Sequence, residues 1–151
     1  MPSAMSDNLV EILLVEDNPF DVEATLNALA RHNLGKAVKV VRDGEEALEF
    51  LFCAGVYADR RIDNTPGVVL LDLKLPKMDG LEVLRRIRAD PRTRKIPVVV
   101  LTTNEDERQI AASYALGVNS YVVKPTDFEQ FCEVMRQVGT YWVLVNEPSR
   151  L

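Results

Sequence analysis

Charged side chains that could perform chemistry follow three of the apolar runs in this sequence. Glu16 and Asp17 come directly after EILLV, and Asp72 comes after PGVVLL; Lys124 follows NSYVV. Each run is typical of a buried strand, and the carboxyl ends of parallel strands meet at one edge of an α/β sheet. Three carboxylates gathered there repel one another unless a cation lies among them, and oxygen ligands suit Mg²⁺. The sequence therefore predicts a Mg²⁺-dependent phosphate site.

The elements that must position these residues alternate along the chain. Each of five strand-like runs precedes a segment with apolar residues at helical spacing, which is the pattern of a parallel sheet covered by helices on both faces. We predict strands at 11–15, 37–41, 67–71, 97–101 and in NSYVV. We predict helices that begin at Asn18-Pro19, Asp43-Gly44, Leu81, Glu105 and Asp127. The predicted fold class is α/β, with a doubly wound, five-stranded parallel sheet, (β/α)5.

Composition limits the classes of protein and partner. The chain has 151 residues, of which 47% are apolar, and this suits one domain with a full core. A net charge of −5 without a dense basic stripe argues against nucleic acid as a direct partner. Cys53 and Cys132 are far apart and predict neither a disulfide framework nor a metal site. Without a membrane span or signal peptide, we expect a cytoplasmic protein with a short disordered leader, residues 1–8.

The segment 56–66, VYADRRIDNTP, has no periodicity and ends at a proline. It is longer than most connections between elements, and we expect it to lie on the surface. Two interpretations remain open, namely a recognition loop and a tolerated surface insertion.

Four motifs together resemble one family. ILLVEDNPFD, VVLLDLKLPKMDG, VVVLTTN and YVVKP occur in this order and at separations similar to those of the receiver domain of two-component response regulators. The resemblance covers nearly the whole chain. It implies the flavodoxin-like strand order 2-1-3-4-5, with the receiver domain at 9–140.

The resemblance also implies roles for individual residues. Asp72 would accept a phosphoryl group from a phosphohistidine of a sensor kinase. Glu16 and Asp17 would help to hold Mg²⁺, which would also take an Asp72 oxygen and the backbone carbonyl of Lys74. Lys124 would pair with one phosphoryl oxygen.

Other residues would transmit or time the signal. By the resemblance, Thr102 would hydrogen-bond a phosphoryl oxygen and act as a switch together with Tyr121, which would rotate between exposed and buried positions. A plain strand tyrosine remains the alternative. Lys74 and Asn104 would tune dephosphorylation, and the peptide bond between Lys124 and Pro125 would be cis, although most bonds before proline are trans.

The C-terminal segment of the sequence indicates a subfamily of receiver proteins. We expect a stand-alone receiver, because the sequence stops soon after the last helix. The extension, 141–151, begins with the apolar run YWVLV. Tyr141, Trp142 and Leu144 are candidate dimer contacts; the alternatives are a tail that folds onto its own core and an extended arm. These features are similar to the response regulators of bacterial phytochromes, which implies a phytochrome-type kinase as partner and a homodimer.

Purely structural interpretations of the charged residues remain open. Glu16 and Asp17 could cap a helix, and Lys124 could be a surface lysine. A haloacid dehalogenase phosphatase would need an acid where Lys74 stands, so we expect no enzyme beyond self-phosphorylation and dephosphorylation. The functional alternatives are a non-phosphorylated scaffold, a phosphorelay intermediate and a phosphate sink.

Overall fold

Five parallel strands form one sheet in the order β2-β1-β3-β4-β5, as the sequence analysis predicted. The structure is a computed structural model, and it describes residues 10–34, 37–103 and 105–147. The predicted leader therefore lies outside the described residues. The strands are β1, Ile12–Val15; β2, Val38–Val41; β3, Val68–Leu71; β4, Val98–Thr102; and β5, Ser120–Val123.

Five α-helices connect or follow the strands: α1, Pro19–Arg31; α2, Gly44–Leu51; α3, Gly80–Ala89; α4, Glu107–Ala115; and α5, Phe128–Gly139. Each begins after an Asx residue whose side chain accepts a main-chain N–H of the first turn, and these caps are Asn18, Asp43, Asp79, Asp106 and Asp127. Such caps satisfy donors that have no partner inside the helix. The predicted starts differ from the observed ones by at most two residues.

Alternate residues of the central strands face opposite sides of the sheet. On one side, Leu13, Val69 and Val98 belong to a core with α2 and α3. On the other, Ile12 and Leu70 pack with the apolar residues of α1. Strands buried on both faces explain the continuous apolar runs in the sequence. No helix in the described part of the chain combines the length and the apolar character needed to cross a membrane.

The bond between Lys124 and Pro125 is trans, and the cis bond expected from the family resemblance is therefore wrong for this structure. The trans form of a bond before proline is favoured by about 0.5–1 kcal/mol. The trans chain still lets the main-chain N–H of Lys124 donate to the carbonyl of Thr102 at 2.7 Å. It thus keeps Lys124 at the end of β5.

The tail continues α5 as a π-helical turn, Thr140–Val145, so the extended arm is wrong. Gly139 allows the end of α5 to lie close to Leu29 of α1, because a Cβ at position 139 would lie 2.8 Å from Leu29 Cδ2. Trp142 and Val143 pack against the core on the α1 side of the sheet, as the alternative of a folded-back tail stated. Tyr141, Leu144 and Val145 remain exposed.

The predicted irregular loop contains one 3₁₀ turn, Gly55–Tyr57. Arg60 donates to the carbonyl oxygens of Phe50 and Asn64, and its guanidinium carbon lies 3.7 Å from the centre of the Phe50 ring. The Tyr57 hydroxyl donates to Glu46 at 2.6 Å. These contacts fix the loop on α2, and its role in recognition stays a prediction.

Arg88 joins α3 to the segments that precede β4 and β5. Its guanidinium donates to the carbonyls of Gly117 at 2.8 Å and Ile96 at 2.7 Å, and to the side chain of Asn119 at 2.8 Å. We expect Arg88→Met to lower the free energy of unfolding by about 3 kcal/mol, since it removes a charged donor shared by several oxygen acceptors, of which the Ile96 carbonyl is partly buried. Urea denaturation measures this loss.

Arg85→Met is the matched control on the same helix. Arg85 is exposed and pairs only with Glu82 among the described residues, and exposed ion pairs contribute little. Equal losses for the two variants would contradict the assigned role of Arg88.

Candidate functional site

Three strand ends bring Glu16, Asp72 and Lys124 together at the carboxyl edge of the sheet. Lys124 Nζ donates to Glu16 Oε1 at 2.6 Å and to Asp72 Oδ2 at 3.2 Å. The side chains of Lys124 and Glu16 are 4% and 3% exposed, and that of Asp72 is 12% exposed. The cation among these carboxylates is thus the ammonium of Lys124.

Asp21, which was not among the predicted site residues, completes this cluster. Its Oδ2 accepts from Lys124 Nζ at 2.7 Å. Asp21 is the third residue of α1, and the side chain of Asn18 holds the start of that helix by accepting the N–H groups of Phe20 and Asp21. An acid in the first turn after a strand-end acid pair is the signal that could have identified it.

Burial and pairing compete in setting the protonation of this cluster. Burial alone would lower the pKa of Lys124, but hydrogen bonds from its ammonium to Asp21 and Glu16 outweigh it and raise the pKa. Burial raises the pKa of Glu16 from its ordinary 4.5 to about 7; the hydrogen bond to Lys124 opposes this rise, and the charge of Asp72 adds to it. Lys124 therefore stays charged at neutral pH, while Glu16 titrates there.

Asp17 follows Glu16 directly in the chain and is exposed. It lines a cleft of about 630 Å³ together with the segment that follows β3 and with Gln109 of α4. Gln109 Oε1 is a buried side-chain oxygen without a hydrogen-bond partner among the described residues. In the same part of the chain, no three acidic, histidine or cysteine side chains converge closely enough to hold a metal ion by themselves.

The residues present nevertheless suit Mg²⁺. This ion usually keeps several waters and takes only one or two protein carboxylates. Asp17 offers an exposed carboxylate in the cleft. Asp72 directly precedes the segment 73–79 that lines the same cleft, and its Oδ1 also accepts the N–H of Lys74 at 3.2 Å. Two carboxylates match the number that Mg²⁺ usually takes from a protein.

The segment after β3 is held close to the strand. The N–H of Gly80 donates to the carbonyl of Leu73 at 2.9 Å. A Cβ at position 80 would lie 2.5 Å from the main-chain oxygen of Asp72. Only glycine allows this approach, which fixes the backbone at Asp72.

Thr102 and Tyr121 lie on the neighbouring strands. Thr102 is the last residue of β4 and is 1% exposed. Tyr121 is half-buried against the core on the α2 and α3 side. Burial raises the pKa of its hydroxyl, and the charges of Asp106 and Asp72 add to the effect. Both residues thus lie close to the acid cluster, on strands that pair directly with each other.

Lys74 and Asn104 are the remaining predicted site residues. The side chain of Lys74 is exposed beside the Asp17 cleft. Asn104 lies outside the described residues. The Asp72 carboxylate is partly accessible, and the ammonium of Lys124 lies beside it. This pair could therefore stabilise an anionic group that is added to the carboxylate.

Comparison with known proteins gives consistent matches. The family model of the response regulator receiver domain matches residues 12–136. Response regulator Rcp1 of Synechocystis sp. is 37% identical over 132 residues, which cover 87% of this chain and 88% of that protein. The structure of its Mn²⁺-bound form aligns with a TM-score of 0.84 at 36% identity, covering 91% of this chain and 97% of that chain.

Two further solved structures are similar. The phosphorylated cyanobacterial phytochrome response regulator RcpA aligns with a TM-score of 0.86 at 39% identity, covering 93% of this chain and 98% of that chain. The bacteriophytochrome response regulator AtBRR is 51% identical with a TM-score of 0.72, covering 92% and 99% of the two chains.

The raised pKa of Glu16 predicts a pH dependence of stability. The unfolded chain releases this proton near pH 4.5, whereas the folded protein keeps it to about pH 7. Between these values the folded state binds more protons, so its contribution to the free energy of unfolding falls as pH rises, by up to about 3 kcal/mol. Urea denaturation at pH 5 and pH 8 with a chelator should show this loss.

Glu16→Gln should remove this part of the pH dependence, because the amide does not titrate. Glu11→Gln, a change at an exposed position, should leave it intact. A Glu16→Gln protein that loses as much stability as wild type between the two pH values would contradict the assignment.

Proposed function

This chain belongs to the response regulator receiver domain family, and from that premise we propose that Asp72 accepts a phosphoryl group from a phosphohistidine of a sensor kinase. The observation that carries the proposal is the 3.2 Å contact between Asp72 Oδ2 and Lys124 Nζ. It supplies a buried positive charge beside a carboxylate that remains partly accessible.

Phosphoryl transfer to Asp72 requires few further catalytic groups. Phosphoryl transfer depends on positioning and on neutralising charge at the phosphoryl oxygens. An Asp72 oxygen would form the new bond to phosphorus while the bond from phosphorus to the donor's histidine nitrogen breaks. Asp72 needs no base, because its carboxylate already carries the attacking lone pair. The one histidine of the chain, His32, lies at the C-terminal end of α1.

Bound Mg²⁺ would add positive charge at the phosphoryl oxygens. Asp17 and Asp72 would hold it, with Glu16 and the main-chain carbonyl of Lys74 as further ligands. The exposed side chain of Lys74, together with Asn104, would control how readily water reaches the phosphoaspartate. The chain would turn over no separate substrate and would catalyse only its own phosphorylation and dephosphorylation.

The donor would be a phytochrome-type histidine kinase in the cytoplasm. The relatives RcpA and AtBRR are phytochrome response regulators by name. Phe20 is 82% exposed and Phe128 48% exposed, and both line a cleft of about 390 Å³ beside Asp21. Exposed aromatic side chains next to the acid cluster suit a protein donor better than a small molecule.

Phosphorylation would be transmitted by the strand ends. A phosphoryl group on Asp72 gives Thr102 and Lys124 a new anionic partner, and the loop after β4 would move towards it. Tyr121, half-buried between the core and the surface, would turn inward with that movement. The signal would then leave through contact with another protein or through a phosphorelay.

We expect one Mg²⁺-dependent phosphate on the wild-type protein after incubation with acetyl phosphate, and none on Asp72→Asn. The amide of the variant cannot attack phosphorus. Intact-protein mass measures the adduct, with and without Mg²⁺. Asp79→Asn, which changes a helix cap at the same sheet edge, is the matched control and should still gain one phosphate.

A rapidly hydrolysed phosphoaspartate would escape detection by mass. Beryllofluoride, which forms a stable complex in place of the phosphoryl group, should therefore shift the NMR signals of Tyr121 and Thr102. A protein that neither gains mass nor responds to beryllofluoride is not a phosphoryl switch, and the scaffold alternative would then hold.

We further propose that the tail mediates a homodimer. Trp142 and Val143 pack inward, whereas Tyr141, Leu144 and Val145 form a contiguous exposed apolar surface, with Leu144 69% exposed. A second copy of this chain would cover that surface and remove it from water.

Leu144→Glu should abolish the dimer in analytical ultracentrifugation and leave the free energy of unfolding of the monomer nearly unchanged, because Leu144 has little packing to lose. Val56→Glu, at an 84% exposed position in the loop beside α2, is the control and should remain dimeric. The dimer proposal fails if wild type is monomeric at micromolar concentration, or if Leu144→Glu sediments as wild type does.

A further inference from the structure

Lys124 uses all of its hydrogen-bonding capacity within the acid cluster. An ammonium has three N–H donors, and Nζ contacts three carboxylates, at 2.6 Å for Glu16, 2.7 Å for Asp21 and 3.2 Å for Asp72. The contact with Asp72 is the longest. An anionic oxygen added to Asp72 can therefore accept the third N–H of Lys124, because this replaces only the weakest of the three hydrogen bonds. The other two hydrogen bonds must then keep the ammonium in place.

Glu16 and Asp21, which make the two short contacts, differ in their other interactions. Glu16 is a candidate Mg²⁺ ligand, and its Oε2 also accepts the N–H of Asn18 at 3.2 Å. A metal ion that draws on Glu16 weakens its hold on Lys124. Asp21 has no role in the metal or phosphoryl assignments. Its carboxylate is the partner of Lys124 that stays available throughout the reaction.

The fold positions Asp21 before any ligand arrives. Asn18 Oδ1 accepts the N–H of Phe20 at 2.9 Å and that of Asp21 at 3.2 Å, which fixes the first turn of α1. Asp21 is 31% exposed, whereas the ammonium side chain that it contacts is 4% exposed. The carboxylate thus lies on the solvent side of Lys124 and limits the directions in which the ammonium can turn.

We propose that Asp21 is a positioning residue for phosphoryl acceptance, which holds the ammonium of Lys124 so that its third donor points at Asp72. This inference rests on the proposed function. Asp21 touches no reacting atom and acts only through Lys124. A hydrogen-bond acceptor of the right length is what the position requires, and the negative charge itself is secondary.

Phosphorylation by acetyl phosphate at saturating Mg²⁺ tests the proposal. We expect Asp21→Ala to slow the maximal rate about tenfold, since a displaced catalytic group costs rate without altering ligand affinity. The Mg²⁺ concentration that gives half the maximal rate should stay the same. Asp21→Asn should restore most of the rate, because its amide oxygen can still accept from Nζ.

Glu23→Ala is the matched control. Glu23 is an exposed acid on the same helix, and it is not among the three carboxylates bonded to Lys124. Loss of this charge should leave the rate unchanged. Asp21→Ser, with a side chain too short to reach Nζ, replaces Asp21→Ala if the alanine variant is unstable, and circular dichroism checks the fold of each.

The outcomes separate the two proposals. If wild type gains phosphate and Asp21→Ala or Asp21→Ser reacts at the wild-type rate, the role of Asp21 is refuted and the proposed function stands. If Asp21→Asn is as slow as the alanine variant, the charge matters and positioning by the hydrogen bond is wrong. If wild type gains no phosphate and does not bind beryllofluoride, the proposed function fails and this inference fails with it.

Discussion

The rest of this structure depends on one buried ammonium that lies among three carboxylates. Lys124 is nearly inaccessible to water, yet it remains charged because Glu16, Asp21 and Asp72 surround it. A buried pair of this kind is held only with good geometry, since each charge loses its hydration. The parallel sheet provides that geometry by ending β1, β3 and β5 at one edge. Gly80 adds to it, because the absence of a Cβ lets the chain after β3 return close to Asp72.

The order of the elements and their types could be predicted because they depend on local patterns. Strands buried on both faces appear as unbroken apolar runs such as VVLL at β3, and Asx residues mark the helix starts. Asp72 and Lys124 could be selected because each follows such a run directly. The flavodoxin-like strand order needed the family resemblance, since alternation alone leaves the order of parallel strands open.

Other features depend on contacts that a single sequence does not reveal. Asp21 lies 103 residues from Lys124, and its role becomes visible only when α1 packs beside β5. The Lys124-Pro125 bond is trans, the form that most bonds before proline adopt, whereas the family resemblance implied cis. The β-branched residues of YWVLV left an extended arm open, yet the chain continues from α5 as a helical turn, and Trp142 and Val143 pack against the core. For Asp21 and for the tail, tertiary packing decided between local alternatives.

The cap of α1 has an electrostatic consequence. Glu16, Asp21 and Asp72 carry three formal negative charges against the single positive charge of Lys124, and a proton on Glu16 relieves only part of the excess. The aligned peptide dipoles of a helix place about half a positive charge at its N-terminus. Four of the five helices begin with an aspartate, which cancels that partial charge, whereas α1 begins with the neutral Asn18. The start of α1 is thus a second, fractional cation that no titration can remove.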